Sequence, residues 1–101
     1  MKKILLISLI FFFNNAAFSD DKMELGAETY SNKAMCGTCH VLKAAKSTGN
    51  IGPNLDQVKP SIDRIIYVVT NGIGVMQAWD GILTQEEIEA VAYYIFNNTN
   101  K

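Results

Sequence analysis

With 101 residues, about half of them hydrophobic, and a formal net charge of −1, the chain has room for one domain. Nine basic residues against ten acidic ones give no excess of positive charge, which argues against nucleic acid as a partner. Two cysteines and a single histidine make three ligands at most, where structural zinc usually takes four.

Met1-Lys2-Lys3 is a short basic start, Ile4 to Phe13 is an uncharged apolar run, and Ala17-Phe18-Ser19 offers small residues where a signal peptidase reads. Residues 1–19 are therefore read as a signal peptide cleaved after Ser19, and residues 20–101 as the mature domain. The apolar run falls short of the ~20 residues of a comfortable membrane span, so no stable membrane anchor is expected. A bacterial periplasm is the predicted location. Without Lys2 and Lys3 the remainder carries seven basic residues against ten acidic ones. A domain of this length makes only a marginal apolar core unless something staples it.

The mature chain opens with a predicted helix from Asp21 or Lys22 to Met35, with Leu25, Tyr30 and Ala34 turned inward. Gly26 costs such a helix roughly 1 kcal/mol relative to alanine. Its presence there predicts close approach of another element.

Cys36-Gly37-Thr38-Cys39-His40 follows, the C-x-x-C-H spacing of c-type haem attachment. Two thiols three positions apart can add across the two vinyl groups of one porphyrin from a single helical turn, and the next residue then faces the iron. A neutral imidazole is a good iron ligand, and His40 is the chain's single histidine. Export agrees, because this attachment takes place outside the cytoplasm. Thiol–disulfide exchange uses the same cysteines but expects a strand leading into them, where a helix is predicted.

Val41 to Asn50 has the composition of a solvated loop, which is the plainer reading of its lysines; the alternative is that Lys33, Lys43, Lys46 and Lys59 sit around the haem-bearing end, where an acidic partner could use them for steering. Ile51-Gly52-Pro53-Asn54-Leu55 reads as a rigid turn, one of whose carbonyls can hold the second imidazole nitrogen. From Pro60 to Asn71, Ile62, Ile65, Ile66 and Val69 form a helical stripe that starts at Pro60 and stops at Asn71-Gly72. The glycine-rich stretch from Gly72 to Trp79 carries Met76. With a haem in place, Met76 is the thioether best able to reach the side opposite His40, since Met35 abuts Cys36 and Met23 lies near the end of the chain. Thr84-Gln85-Glu86-Glu87 is a capping box for a last helix built on Ile88, Val91, Ala92 and Ile95, followed by a polar tail from Asn97.

In this order, the Cys36-to-His40 motif, Gly52-Pro53-Asn54-Leu55, the glycine-rich loop to Met76 and the helix with Ala92-Tyr93-Tyr94-Ile95 resemble the class I cytochromes c, small exported monohaem electron carriers. The resemblance covers residues from about Leu25 to Phe96. It implies an all-α cytochrome c fold, three main helices around one covalently attached haem c. It also implies thioether bonds from Cys36 and Cys39, axial ligation by His40 and Met76, a Pro53 carbonyl on the imidazole, and packing of Gly26 and Tyr30 against Tyr94. Two departures stand out. Gln77 replaces the proline that often follows the ligand methionine, and Tyr30 lies two residues further from the first haem cysteine than is usual.

With both axial positions filled, the implied function is one-electron transfer through the haem edge, without enzymatic turnover. The implied partners are a periplasmic dehydrogenase as donor and an oxidase or reductase as acceptor, met by a monomer or by a small subunit of a complex such as a sulfite dehydrogenase. A haem sensor or peroxidase-like protein with a labile sixth ligand, and a haem-free thiol oxidoreductase, are the alternatives.

Overall fold

Burial of one helix on nearly every side organises the molecule. The computed structural model describes residues 20–101, so the segment read as a signal peptide, 1–19, lies outside the described residues. Among the described residues, four α-helices occur in chain order: α1 (20–28), α2 (Leu55–Val58), α3 (Ile62–Asn71) and α4 (Gln85–Thr99). In α4, Ile88, Ala90, Val91, Ala92, Tyr94, Ile95 and Thr99 are all buried, and the helix packs on α2, on α3 and on the turn that ends α1. Fully burying a large apolar side chain stabilises the fold by about 1.5–3 kcal/mol, and Tyr30, Leu42, Ile88 and Val91 are among the largest fully buried residues.

The first helix ends earlier than its sequence predicts. It widens into a π-helical turn at Thr29–Lys33, where the Ala34 N–H donates to the Thr29 carbonyl at 2.8 Å. The Thr29 hydroxyl meanwhile donates to the Leu25 carbonyl at 2.8 Å. Met35 then takes a left-handed conformation, φ 51°, which turns the chain into the cysteine motif instead of continuing the helix. The wide turn and Met35 take up the additional length between Tyr30 and Cys36, so the helix contact survives. A Cβ on Gly26 would lie 2.2 Å from the Ala90 carbonyl oxygen and 2.5 Å from Tyr94 Cβ, closer than real atoms come. The rings of Tyr30 and Tyr94 stand 5.9 Å apart at 52°, a tilted aromatic pair.

The expected loop after the motif holds a small antiparallel hairpin, β1 (Val41–Leu42) paired with β2 (Ser47–Thr48). Leu42 is wholly buried, which anchors it. α2 is a single turn, capped where the Asn54 side chain accepts from the Gln57 N–H at 3.3 Å.

α3 begins two residues later than predicted. Ser61 is the N-cap, accepting from the Arg64 N–H at 3.1 Å, and Pro60 stands just outside the helix. α4 starts as expected, with Glu87 Oε1 accepting from the Thr84 N–H at 2.8 Å and Thr84 Oγ1 accepting from the Glu87 N–H at 3.1 Å. It runs on through the predicted polar tail because those side chains bond back to their own helix. Asn97 donates to the Tyr93 carbonyl, Asn98 to that of Tyr94 and Thr99 to that of Ile95, at 2.8–2.9 Å. The all-α expectation holds, with α1, α3 and α4 as the main helices.

Candidate haem-binding site

Local backbone bonding shapes the cysteine motif. Cys36–Thr38 forms a 3-10 turn in which the N–H groups of Cys39 and His40 both donate to the Cys36 carbonyl, at 3.2 and 3.0 Å. One tight turn thus carries both thiols and delivers the imidazole just after it. Burial pushes the Cys36 thiol up to about 11. A redox-exchange cysteine needs the opposite shift, because the thiolate is the nucleophile.

His40 is held from two sides. Its Nδ1 lies 2.7 Å from the Pro53 carbonyl oxygen. A carbonyl only accepts, so Nδ1 carries the proton and Nε2 keeps its lone pair for a metal. The ring also rests on Gly52, where an added Cβ would come within 2.5 Å of Cε1. The Gly52 N–H donates to the Cys39 carbonyl at 2.7 Å, tying the turn to the motif it supports.

Met76 is placed by a different device. Ile73 and Met76 exchange two backbone hydrogen bonds, at 2.9 and 3.0 Å, around Gly74 and Val75. Gly74 has φ +56° at the first central position, the left-handed region this two-residue turn requires there. The loop is fastened to the end of α3 by bonds from the Trp79 and Asp80 N–H groups to the Val69 and Thr70 carbonyls, at 2.9 and 3.3 Å.

Two adjoining cavities, of about 330 and 230 Å³, meet at Cys36, His40, Pro53, Ile73 and Met76. Each is nearly or wholly the size of a small ligand site. Ala34, Cys39, Ile51 and Trp79 complete the first; Leu55, Val58, Ile65, Val68 and Ile95 are among those completing the second. An apolar crevice with one imidazole, one thioether and two thiols along its walls fits a porphyrin and its iron. Every sequence-predicted site residue lies along it: Cys36, His40, Pro53 and Met76 line both cavities, and Cys39 lines the larger alone.

None of the four lysines lines either cavity. Lys33 pairs with Glu87, which raises the lysine's pKa and lowers the carboxylate's, and Lys59 Nζ donates to the Thr99 carbonyl at 2.8 Å. The mouth is instead apolar: Met35, Ile51, Ile73 and Val75 line the larger cavity while 61, 68, 54 and 93 % exposed. Reading charge from sequence overlooked them, although the neighbouring Gly52, Gly72 and Gly74 mark Ile51, Ile73 and Val75 as loop positions.

The family described as cytochrome c oxidase, cbb3-type, subunit III matches residues 21–95. The chain belongs to the cytochrome c family. Cytochrome c6 of Microcystis aeruginosa is 35% identical over 82 residues, covering 75% of this chain and 96% of the relative. Cytochrome c6 of Picosynechococcus is 33% identical over 111 residues, covering 94% and 92%. The crystal structure of the c-type cytochrome SorU from Sinorhizobium meliloti is similar at a TM-score of 0.76 and 46% identity, covering 81% of this chain and 95% of that one. This cytochrome is thus a small monohaem electron-transfer protein of class I with covalently bound haem c. Among the described residues, no helix is long and apolar enough to cross a membrane.

Proposed function

We propose that this cytochrome is an exported, periplasmic one-electron carrier, freed from residues 1–19, in which Cys36 and Cys39 form the two thioether bonds and His40 and Met76 bind the iron from opposite sides. The carrying observation is the convergence of Cys36, His40 and Met76 on the strip where the two cavities meet. The bound haem supplies a reversible ferric–ferrous couple. The Pro53 carbonyl orients the imidazole and strengthens it as a donor, while the thioether and the apolar walls favour the ferrous state and raise the potential.

His40 and Met76 would hold the iron and leave no donor position for a substrate, so the protein would act as a carrier rather than an enzyme. A dehydrogenase donates the electron, and an oxidase or reductase accepts it. Contacts of this kind are small and short-lived. The apolar mouth formed by Ile51, Ile73 and Val75 suits them, because it brings a partner to the haem edge without a desolvated charge.

Optical spectra of the oxidised and reduced protein, made with a haem-attachment system, test the reading. A pyridine haemochrome of the c type and a weak far-red sulfur-to-iron band in the oxidised form are expected. A high-spin spectrum that shifts on adding carbon monoxide would remove Met76 as the ligand and favour a sensor or peroxidase-like protein. Absence of covalent haem would favour the thiol oxidoreductase.

A further inference from the structure

We propose that Met35 is a site of reversible oxidation by a hydroperoxide, and that its sulfoxide turns from the crevice mouth into a polar cavity behind the cysteine turn, opening the mouth. The inference rests on the haem seat proposed above, which puts the Met76 sulfur on the iron and leaves Met35 at the mouth.

A third cavity, of about 170 Å³, lies between the end of the first helix, the cysteine motif and the β1–β2 hairpin. Met35 is the one residue that lines both this cavity and the larger crevice cavity, so its side chain is the partition between them. The two sides differ in chemistry. On the crevice side the exposed wall continues with Ile51, Ile73 and Val75; on the other, Ser31, Thr38 and Lys46 bring two hydroxyls and an ammonium. The Lys46 ammonium enters no ion pair among the described residues. Tyr30 and Ser47, also on that wall, are already bonded to each other at 2.9 Å.

Three thioethers occur among the described residues, and that of Met35 is the open one. Met23 and Met76 are half-buried against the core, with Met23 Sδ 3.8 Å from Asn98 Nδ2. Met35 is 61% exposed and holds a left-handed backbone, φ 51°. That region favours glycine or asparagine, and an outlier of this kind points to a use for its side chain. In the reaction, the sulfur lone pair attacks one peroxide oxygen and the O–O bond breaks. The other oxygen takes the proton of the transferred one and leaves as water, so the thioether loses the two electrons that the peroxide gains. A thiol-dependent sulfoxide reductase reverses the step. The product is a polar S=O acceptor. It has no donor on the aliphatic wall of the mouth, where burying it is disfavoured, and it has three donor side chains across the partition.

Peptide mass spectrometry after a short exposure of the holoprotein to hydrogen peroxide reads the site. Met35 is expected to convert about tenfold faster than Met23 or Met76 while the far-red band persists. The rate at which a small neutral hydroquinone reduces the ferric protein should then rise several-fold. Met35→Gln, whose amide imitates the sulfoxide, should show that rise without peroxide, and Met35→Leu should show none with it. In the double variant Ser31→Ala, Lys46→Gln, Met35 should oxidise as before with most of the rise lost. Conversion of Met35 no faster than that of Met23, full conversion without a change in rate, or a rise kept in the double variant would overturn the proposal and leave the carrier reading standing. A far-red band missing before peroxide is added, with Met76 converting as fast as Met35, would overturn Met76 as the ligand and the inference with it.

Discussion

The two faces of the haem crevice are built to different standards of rigidity. On the His40 face, the ring is fixed by the Pro53 carbonyl at 2.7 Å and packs against Gly52, with no room for one more carbon. On the Met76 face, the thioether sits on a two-residue turn whose central residues touch little: Val75 is 93% exposed, and a Cβ on Gly74 would meet nothing within 4 Å. The imidazole is therefore set by the fold itself, whereas the sulfur position depends on a short loop pinned at its far end to α3. With His40 and Met76 as the proposed ligands, such a site would hold the imidazole side tightly and leave the thioether as the weaker bond.

The contrast can be broken most sharply at the loose side. Met76→Ala is expected to abolish the far-red sulfur band completely and let carbon monoxide bind the ferrous protein, while the helical circular dichroism of the holoprotein persists. Survival of the band would show that another side chain supplies the sixth ligand. The next test places the same substitution on both faces. Gly52→Ala drives a methyl group into the His40 ring, and the combined overpacking and lost Pro53 bond should cost about 2–4 kcal/mol and disturb the ligand-field spectrum. Gly74→Ala meets open space and suffers only the left-handed backbone, about 1 kcal/mol, with an unchanged spectrum. Denaturant unfolding of the two holoproteins measures the difference; equal costs would mean that the faces are equally rigid.

Much of this was legible in the chain, and what was hidden shares a physical cause. The capping box at Thr84 and Glu87, the Ile62-to-Val69 stripe and the close approach at Gly26 are local signals, and the structure places all of them as read. The early end of α1 was not legible, because it depends on a Thr29 hydroxyl bonding back to Leu25 and on Met35 adopting a left-handed conformation, choices made by where the cysteines must go. The continuation of α4 through Asn97 to Thr99 was hidden because asparagine reads as a helix breaker until its side chain is seen to bond to its own helix. The partners of the lysines were hidden for a third reason. Charge positions in sequence do not show partners, and Lys33 and Lys59 find theirs on residues far along the chain, Glu87 and Thr99.

The smallest expected effect concerns the support beneath the rigid face. Tyr30 packs behind the cysteine turn and bonds to Ser47 Oγ at 2.9 Å, joining α1's terminal turn to β2. Burial pushes its phenol up to about 12 from an ordinary value of 10.0, with the Ser47 hydrogen bond acting in the opposite direction. Below pH 10 both folded and unfolded chains keep the proton and the contribution is constant. Between 10 and 12 the unfolded chain ionises first, so stability falls as pH rises, and above that range both states are ionised. Tyr94, also raised by burial, adds to the same slope. Tyr30→Phe should therefore lose about 0.5–1.5 kcal/mol near neutral pH, the net value of one hydrogen bond, yet decline less steeply in alkali than the wild type. Urea unfolding of both proteins near neutral pH and again in alkali reads the two slopes. If they coincide, the alkaline loss belongs to Tyr94 or to the ligand loop, and the rigidity of the His40 face does not rest on Tyr30.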